Sequence, residues 1–285
     1  MISGYLTLNN KKNLNIKVFY YKKFKRVVIP FIIWTILYSI YNSIRLYGNL
    51  DLIYIIKINI MAFCGIESHY HLWFFYSLII LYAISPILIK LLDVLSDKDI
   101  IILIVLFIIQ NNIIKIINSI IEWNSKWNIP IADYTIIYYI IGGFIGKVGI
   151  EYLKKYKKMI YIISWITLIT SIFISYIYTG ISGEVALLFS DRDFFTAAIT
   201  SIGVFIYILD KNYNINSNLS RFFLYIAKYG LGVYLIHPMI INLIQFINKN
   251  KSIGSLIIES VLAVAISYLC VYTIKKVPIL KNIIP

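Results

Sequence analysis

An all-α, polytopic transmembrane helix bundle is the fold class this chain predicts, and three observations carry it. Hydrophobic residues make up 60% of the 285 against 14% charged, a balance well outside that of ordinary soluble domains. Eight separate apolar stretches are each long enough to cross a bilayer, which takes roughly 20 helical residues for about 30 Å of hydrocarbon. Basic residues gather in alternate connecting segments, the asymmetry that orients a polytopic protein.

Taken in order, Met1 precedes a short apolar run and then a lysine-rich stretch, the reverse of a signal peptide, so membrane insertion relies on the spans themselves. The first span, 27–48, follows Lys22-Lys23-Phe24-Lys25-Arg26 and has Pro30 in its first turn, where a missing backbone N–H costs nothing. Segment 49–70 contains an apolar run, Ile58–Gly65, too short to cross; it lies at the outer surface or folds back partway into the protein. Spans follow at 71–92, 100–121, 130–147 and 159–178. The 194–209 span comes next, then 229–248, interrupted by Pro238, and finally 256–275. Eight crossings return both ends to one side. No internal repeat or low-complexity linker is visible, so residues 1–285 form one domain.

Placing the N-terminal segment in the cytoplasm puts Lys11, Lys12, Lys17, Lys22, Lys23, Lys25 and Arg26 inside. Later inside loops add Lys154, Lys155, Lys157, Lys158, Arg221, Lys228, Lys275 and Lys276, so most of the 27 basic residues face the cytosol. The net charge of +14 does not point to nucleic acid, because the cations are spread over loops beside apolar spans rather than along one groove-filling helix. Anionic membrane lipid is the ordinary partner of such loops, and an anionic cytosolic substrate could share the N-terminal cluster. Cys64 and Cys270 show no metal-ligand spacing and read as free buried thiols.

Polar groups inside spans are costly and therefore the natural candidates for chemistry. Histidine occurs at His69, His71 and His237 alone, and each ring can take or give a proton near neutral pH. A hydrogen-bonded structural histidine is the competing reading for each. His69 and His71, two residues apart, point to different faces of a helix and make a poor metal pair, so no metal is expected. His237 sits about 12 Å into its span by helical rise, whereas His71 opens its span at the outer face. The two rings should then differ in depth by over about 10 Å and not grip one reacting atom, unless segment 49–70 draws His71 inward. Glu259 is placed to snorkel or pair with a neighbour, and Glu184, Asp191, Arg192 and Asp193 are solvated loop charges. Trp73 fits an interfacial aromatic belt, although aromatic groups clustered at the mouth of a bundle can also hold a sugar. Lys23 and Arg26 can bind phosphate through charge and the planar guanidinium fork, or serve simply as a positive-inside flank.

Four segments in order carry a family resemblance. Met1-Ile2-Ser3-Gly4-Tyr5 looks like the tail of a Phe-Phe-x-x-Ser-Gly motif, and Lys23-Phe24-Lys25-Arg26 before Pro30 looks like an Arg-x-x-Arg motif. His71-Leu72-Trp73-Phe74-Phe75-Tyr76, with Ser85-Pro86 further on, and Gly232-Val233-Tyr234-Leu235-Ile236-His237-Pro238 complete the set. Together they resemble the acyltransferase 3 family of bacterial membrane O-acyltransferases, especially the branch acting on surface polysaccharides and other envelope glycans. That resemblance implies a multi-pass protein of the bacterial plasma membrane with about ten spans, eight of them visible here. It further implies transfer of an acyl group, usually acetyl, from cytoplasmic acyl-CoA to a hydroxyl of an envelope sugar, with no bound cofactor.

The family's first span carries an Arg and a spaced His, the latter its general base. Residues 1–8 then read as the remnant of a preceding span, Met1 as an internal methionine or the edge of a true deletion, and this chain as catalytically impaired. On the same resemblance Lys23 and Arg26 contact CoA phosphates, Ser3 and Gly4 pack helices or line a pocket, and His71, Trp73 and His237 support the acceptor or reacting centre. A polysaccharide exporter or flippase is the alternative, against which the missing repeat symmetry counts. A non-catalytic scaffold of a surface-polymer complex is the third reading. Acceptor sugar, acyl group and oligomeric state are not encoded in these patterns.

Overall fold

The computed structural model describes residues 1–121, 134–182, 194–211, 217–248, 252–278, 280 and 283–284. They are almost wholly helical. In chain order the α-helices are α1 (Ile2–Leu8), α2 (Ile16–Lys23), α3 (Ile29–Tyr47), α4 (Leu52–Phe63), α5 (Trp73–Val94) and α6 (Asp97–Ile121). They continue as α7 (Tyr134–Lys154), α8 (Lys157–Ser182), α9 (Phe195–Asp210), α10 (Asn218–Ile247) and α11 (Ile253–Lys276). Among the described residues six helical segments are long and apolar enough to cross a membrane: Ile16–Tyr47, Tyr70–Val94, Tyr134–Lys154, Lys157–Ile181, Asn218–Ile247 and Gly254–Lys276.

Those six coincide with six of the eight expected spans. The expected 194–209 span is α9, whose 16 residues rise only about 24 Å. The expected 100–121 span lies in α6, where the side chains of 111 and 114–121 fall outside the described residues. Glu184, Asp191, Arg192 and Asp193 also lie outside them.

Two compact units divide the described chain: Met1–Ile16 with Ala83–Asn212, and Lys17–Tyr82 with Tyr213–Pro285. In the first unit α1 packs on α7 at backbone contact. A methyl group added to Gly4 would sit 2.0 Å from the Tyr139 carbonyl oxygen, and one on Gly142 would sit 2.0 Å from that of Met1. Only hydrogen at both positions lets the helices approach this closely, the small-residue packing that replaces a hydrophobic driving force in lipid. Asn9 locks the crossing by donating to the Gly143 carbonyl at 3.0 Å. Asn112 of α6, itself buried, accepts from the Phe195 N–H at 2.9 Å, which satisfies an orphan donor at the start of α9.

In the second unit the helix that begins at Ile16 passes through a π-helical turn, Phe24–Val28, before α3. Pro30 explains the widened turn: it cannot donate to the Arg26 carbonyl, so the ladder slips by one residue just before it. Gly48 ends α3 in the left-handed conformation at φ 70°, and Asp51 caps α4 by accepting from the Tyr54 N–H at 2.9 Å. The core joins Phe31, Trp34 and Tyr38 of α3 to Phe75 of α5, Leu235 of α10 and Val271 of α11. Trp34 donates its indole N–H to the Ile283 carbonyl at 3.0 Å, pinning the C-terminal segment to α3. Glu259 of α11 is buried and paired with a neighbour, accepting from Asn248 at 2.9 Å and Ser255 at 3.1 Å.

Candidate functional site

The three histidines of the chain converge in the second unit. α4 stops at a turn containing Gly65, and the chain runs extended through His69 into a single 3-10 turn, Tyr70–Leu72. Asn42 of α3 donates to the Ser68 carbonyl at 2.8 Å and Tyr76 of α5 donates to the Ala62 carbonyl at 2.8 Å. These two bonds tie Ser68 and the end of α4 to the helices, so that Ser68, His69, His71 and Leu72 are buried while 64–67 and Tyr70 stay exposed. His69 and His71 end up buried, with 9% and 3% of their surface exposed.

Their rings meet at Tyr38, whose centroid lies 4.4 Å from that of His69 and 4.8 Å from that of His71. His237 of α10 stands 5.8 Å from His71, edge to face. This corrects the depth arithmetic: both histidines belong to one cluster because the chain turns into the core from Ser68 and sets the His71 ring beside that of His237. It also corrects the helical reading of His69 and His71. In the extended-to-3-10 geometry their Nδ1 atoms are 2.9 Å apart. Two neutral rings satisfy such a contact when one Nδ1 carries a proton and the other presents a lone pair.

Burial first, then the charges of Arg45 and His237, pushes the His69 pKa down to about 4, so this ring stays neutral at physiological pH. A free chain takes up this proton near pH 6.5, so the folded protein binds fewer protons below that value. The His69 contribution to stability is therefore expected to be full above about pH 6.5 and to fall away as pH drops toward 4. Thermal unfolding of wild type and His69→Gln across that range checks it: the acid-side loss should be smaller in the variant.

Two tyrosines complete the cluster. Tyr38 is fully buried and donates its hydroxyl to the Leu235 carbonyl at 2.7 Å. Tyr234 donates its hydroxyl to the His71 carbonyl, and the Tyr234 carbonyl accepts from His237 Nδ1 at 2.8 Å. The Leu235 carbonyl, which accepts from Tyr38 and has a second lone pair, also lies beside His71, but His71 Nε2 is buried and makes no hydrogen bond of normal geometry among the described residues. Such an orphan is costly unless a ligand or water meets it. Trp73 is half-buried and packs edge-on against Phe74, which packs on Tyr234. Among the described residues no group of three or more His, Cys, Asp or Glu side chains is placed to hold a metal ion.

The basic candidates separate. Lys23 sits over the Tyr82 ring at 3.7 Å from its centroid, with Phe19 at 5.4 Å, a cation–π seat. Arg26, within the π turn, is exposed, and it and Lys228 of α10 lie near enough to Lys275 of α11 for their charges to repel it. Lys228 and Lys275 flank the Tyr229 ring at 5.5 and 5.2 Å. Among the described residues neither Arg26 nor Lys228 is held in an ion pair. Sequence reasoning counted Lys228 and Lys275 only as orienting charges; nothing in their spacing shows that α10 and α11 bring them beside Arg26.

A family model described as an acyltransferase domain matches residues 1–275. No curated protein and no solved structure matches the chain.

Proposed function

Because the chain belongs to the acyltransferase 3 family, a family of membrane acyltransferases, we propose that it moves an acyl group, acetyl in the simplest case, from acyl-CoA to a hydroxyl of a cell-envelope glycan. The observation that carries the reading is the convergence of all three histidines with Tyr38 and Tyr234 inside one helical unit. Titratable rings packed together at membrane depth are expensive, and a site that handles a hydroxyl proton is the use that offsets the cost.

In this reading the basic ends of the spans face the cytosol of a bacterial plasma membrane. Arg26, with Lys228 and Lys275, receives the CoA phosphates, which charged donors bind through short, strong hydrogen bonds. Lys23, seated on Tyr82, keeps the local field positive. Along α10 the rise from Lys228 to His237 is about 14 Å, a span for the extended arm of CoA to bridge. At the histidine cluster the acceptor oxygen attacks the thioester carbonyl. The new C–O bond forms, the C–S bond breaks, CoA leaves as thiolate, and the hydroxyl proton passes to a base. His71 and His237 support the acceptor and reacting centre, and Trp73 lines the acceptor side.

Neutralising the phosphate contacts should act on the donor. Arg26→Gln and Lys228→Gln are each expected to raise KM for acyl-CoA by about tenfold, the order of one lost charged hydrogen bond, with kcat changed less.

Radiolabelled acetyl-CoA supplied to membranes carrying the protein tests the whole reading. Label in an ester on glycan supports it; glycan export without label favours the exporter. Running the chain beside a form extended upstream of Met1 tests the expected need for an earlier Arg and His. Equal activity in both would remove that expectation.

A further inference from the structure

Pro238 lies inside α10, one residue after His237. In an uninterrupted helix the amide of residue 238 would donate to the carbonyl of Tyr234. Proline has no N–H, so that carbonyl is released, and His237 takes it through Nδ1 at 2.8 Å. A carbonyl oxygen can only accept, so Nδ1 carries the proton. In the neutral ring the lone pair is then on Nε2. Tyr234 is held at its other end as well, its hydroxyl donating to the His71 carbonyl, and its ring lies 5.5 Å from that of His71 and 5.7 Å from that of His237. One residue thus ties the backbone of the first histidine to the ring of the second.

We propose that Pro238 is a positioning residue that, by freeing the backbone carbonyl of residue 234, holds His237 in the Nδ1–H tautomer, presenting Nε2 as a proton acceptor to a hydroxyl-bearing ligand beside His71. A hydroxyl both donates and accepts. It can give its hydrogen to His237 Nε2 while its oxygen faces the unpartnered, deeply buried Nε2 of His71. The use of the device for acyl transfer rests on the function proposed above, but the tautomer does not.

The test exploits the chain's three histidines. Solid-state NMR of protein carrying isotope-labelled histidine ring nitrogens, reconstituted in lipid, separates protonated from bare nitrogens, and His237→Asn assigns the signal. Wild type should show His237 protonated at Nδ1 and bare at Nε2. Pro238→Ala restores the backbone donor to the Tyr234 carbonyl and favours helix, so the protein should fold while His237 becomes a tautomer mixture. Tyr234→Phe keeps the proline and the carbonyl, and should leave the tautomer unchanged.

In transfer assays Pro238→Ala should lower kcat about tenfold, a part of what a positioned proton acceptor contributes, without moving KM for the donor. It should have no further effect in a His237→Gln background. A wild-type His237 protonated at Nε2, or a tautomer indifferent to Pro238→Ala, would overturn the proposal even in a protein that transfers acyl groups. A correct tautomer in a protein that transfers none would sink only the functional reading.

Discussion

Replacing His237 with alanine is expected to lower acyl transfer to a hydroxyl acceptor by about 100-fold, the low end of what a positioned acid or base supplies. The loss should fall in kcat, because in the proposed mechanism His237 Nε2 meets the acceptor and not the CoA phosphates, placed about 14 Å away along α10. Stability should change little: His237 is half-buried, and its one hydrogen bond inside the described protein goes to a carbonyl of its own helix. His71→Ala is the contrasting case. That side chain is 3% exposed and packed between Tyr38 and Tyr234, so activity and stability should fall together. Detergent-phase Tm and single-turnover rates on both variants separate the two effects. A His237→Ala protein as fast as wild type would remove His237 from the reacting centre.

The largest effect on stability is expected at Gly4. A methyl group there meets the Tyr139 carbonyl at 2.0 Å, and one at Gly142 meets the Met1 carbonyl at the same distance. Both obstacles are backbone, which cannot rotate away, so α1 must leave α7. Gly4→Ala or Gly142→Ala is expected to cost about 3 kcal/mol or more, the upper range for overpacking. Gly180→Ala in α8 is the control: nothing lies within 4 Å of the added carbon, and alanine favours helix over glycine by up to about 1 kcal/mol. Melting of the three variants in one detergent, with monodispersity by size exclusion, gives the comparison. Equal Tm values for Gly4→Ala and Gly180→Ala would show that the α1–α7 contact is not tight.

Much of the fold was legible because lipid imposes a simple rule. A helix must satisfy its own backbone and show apolar side chains over its crossing length, and runs such as 159–178 state this residue by residue. Helix α9 matches the expected 194–209 span to within one residue; the rule is silent on the connections, such as the chain between α4 and α5.

The site was half legible. His71 and His237 stand out as rare titratable groups in apolar surroundings, but helical rise alone sets them at different depths. The chain between Gly65 and Leu72 is not helical until its last turn, and Asn42 and Tyr76, which tie it inward, look like any polar residues at a span end. Tyr38 is one of 25 tyrosines and carries no local mark of its burial. Tyr234 did carry one, lying three residues before His237 on the same helical face with Pro238 following, a pattern that releases the Tyr234 carbonyl.

The most direct measurement of the central claim is acyl transfer by the purified protein in proteoliposomes. Radiolabelled acetyl-CoA is offered on the side of the basic loops and an envelope glycan on the other. The expected result is label on the glycan as a base-labile ester, formed by wild type and reduced about 100-fold by His237→Ala. Label that stays on CoA with every form of the protein, or that reaches glycan equally with and without His237, would contradict the account.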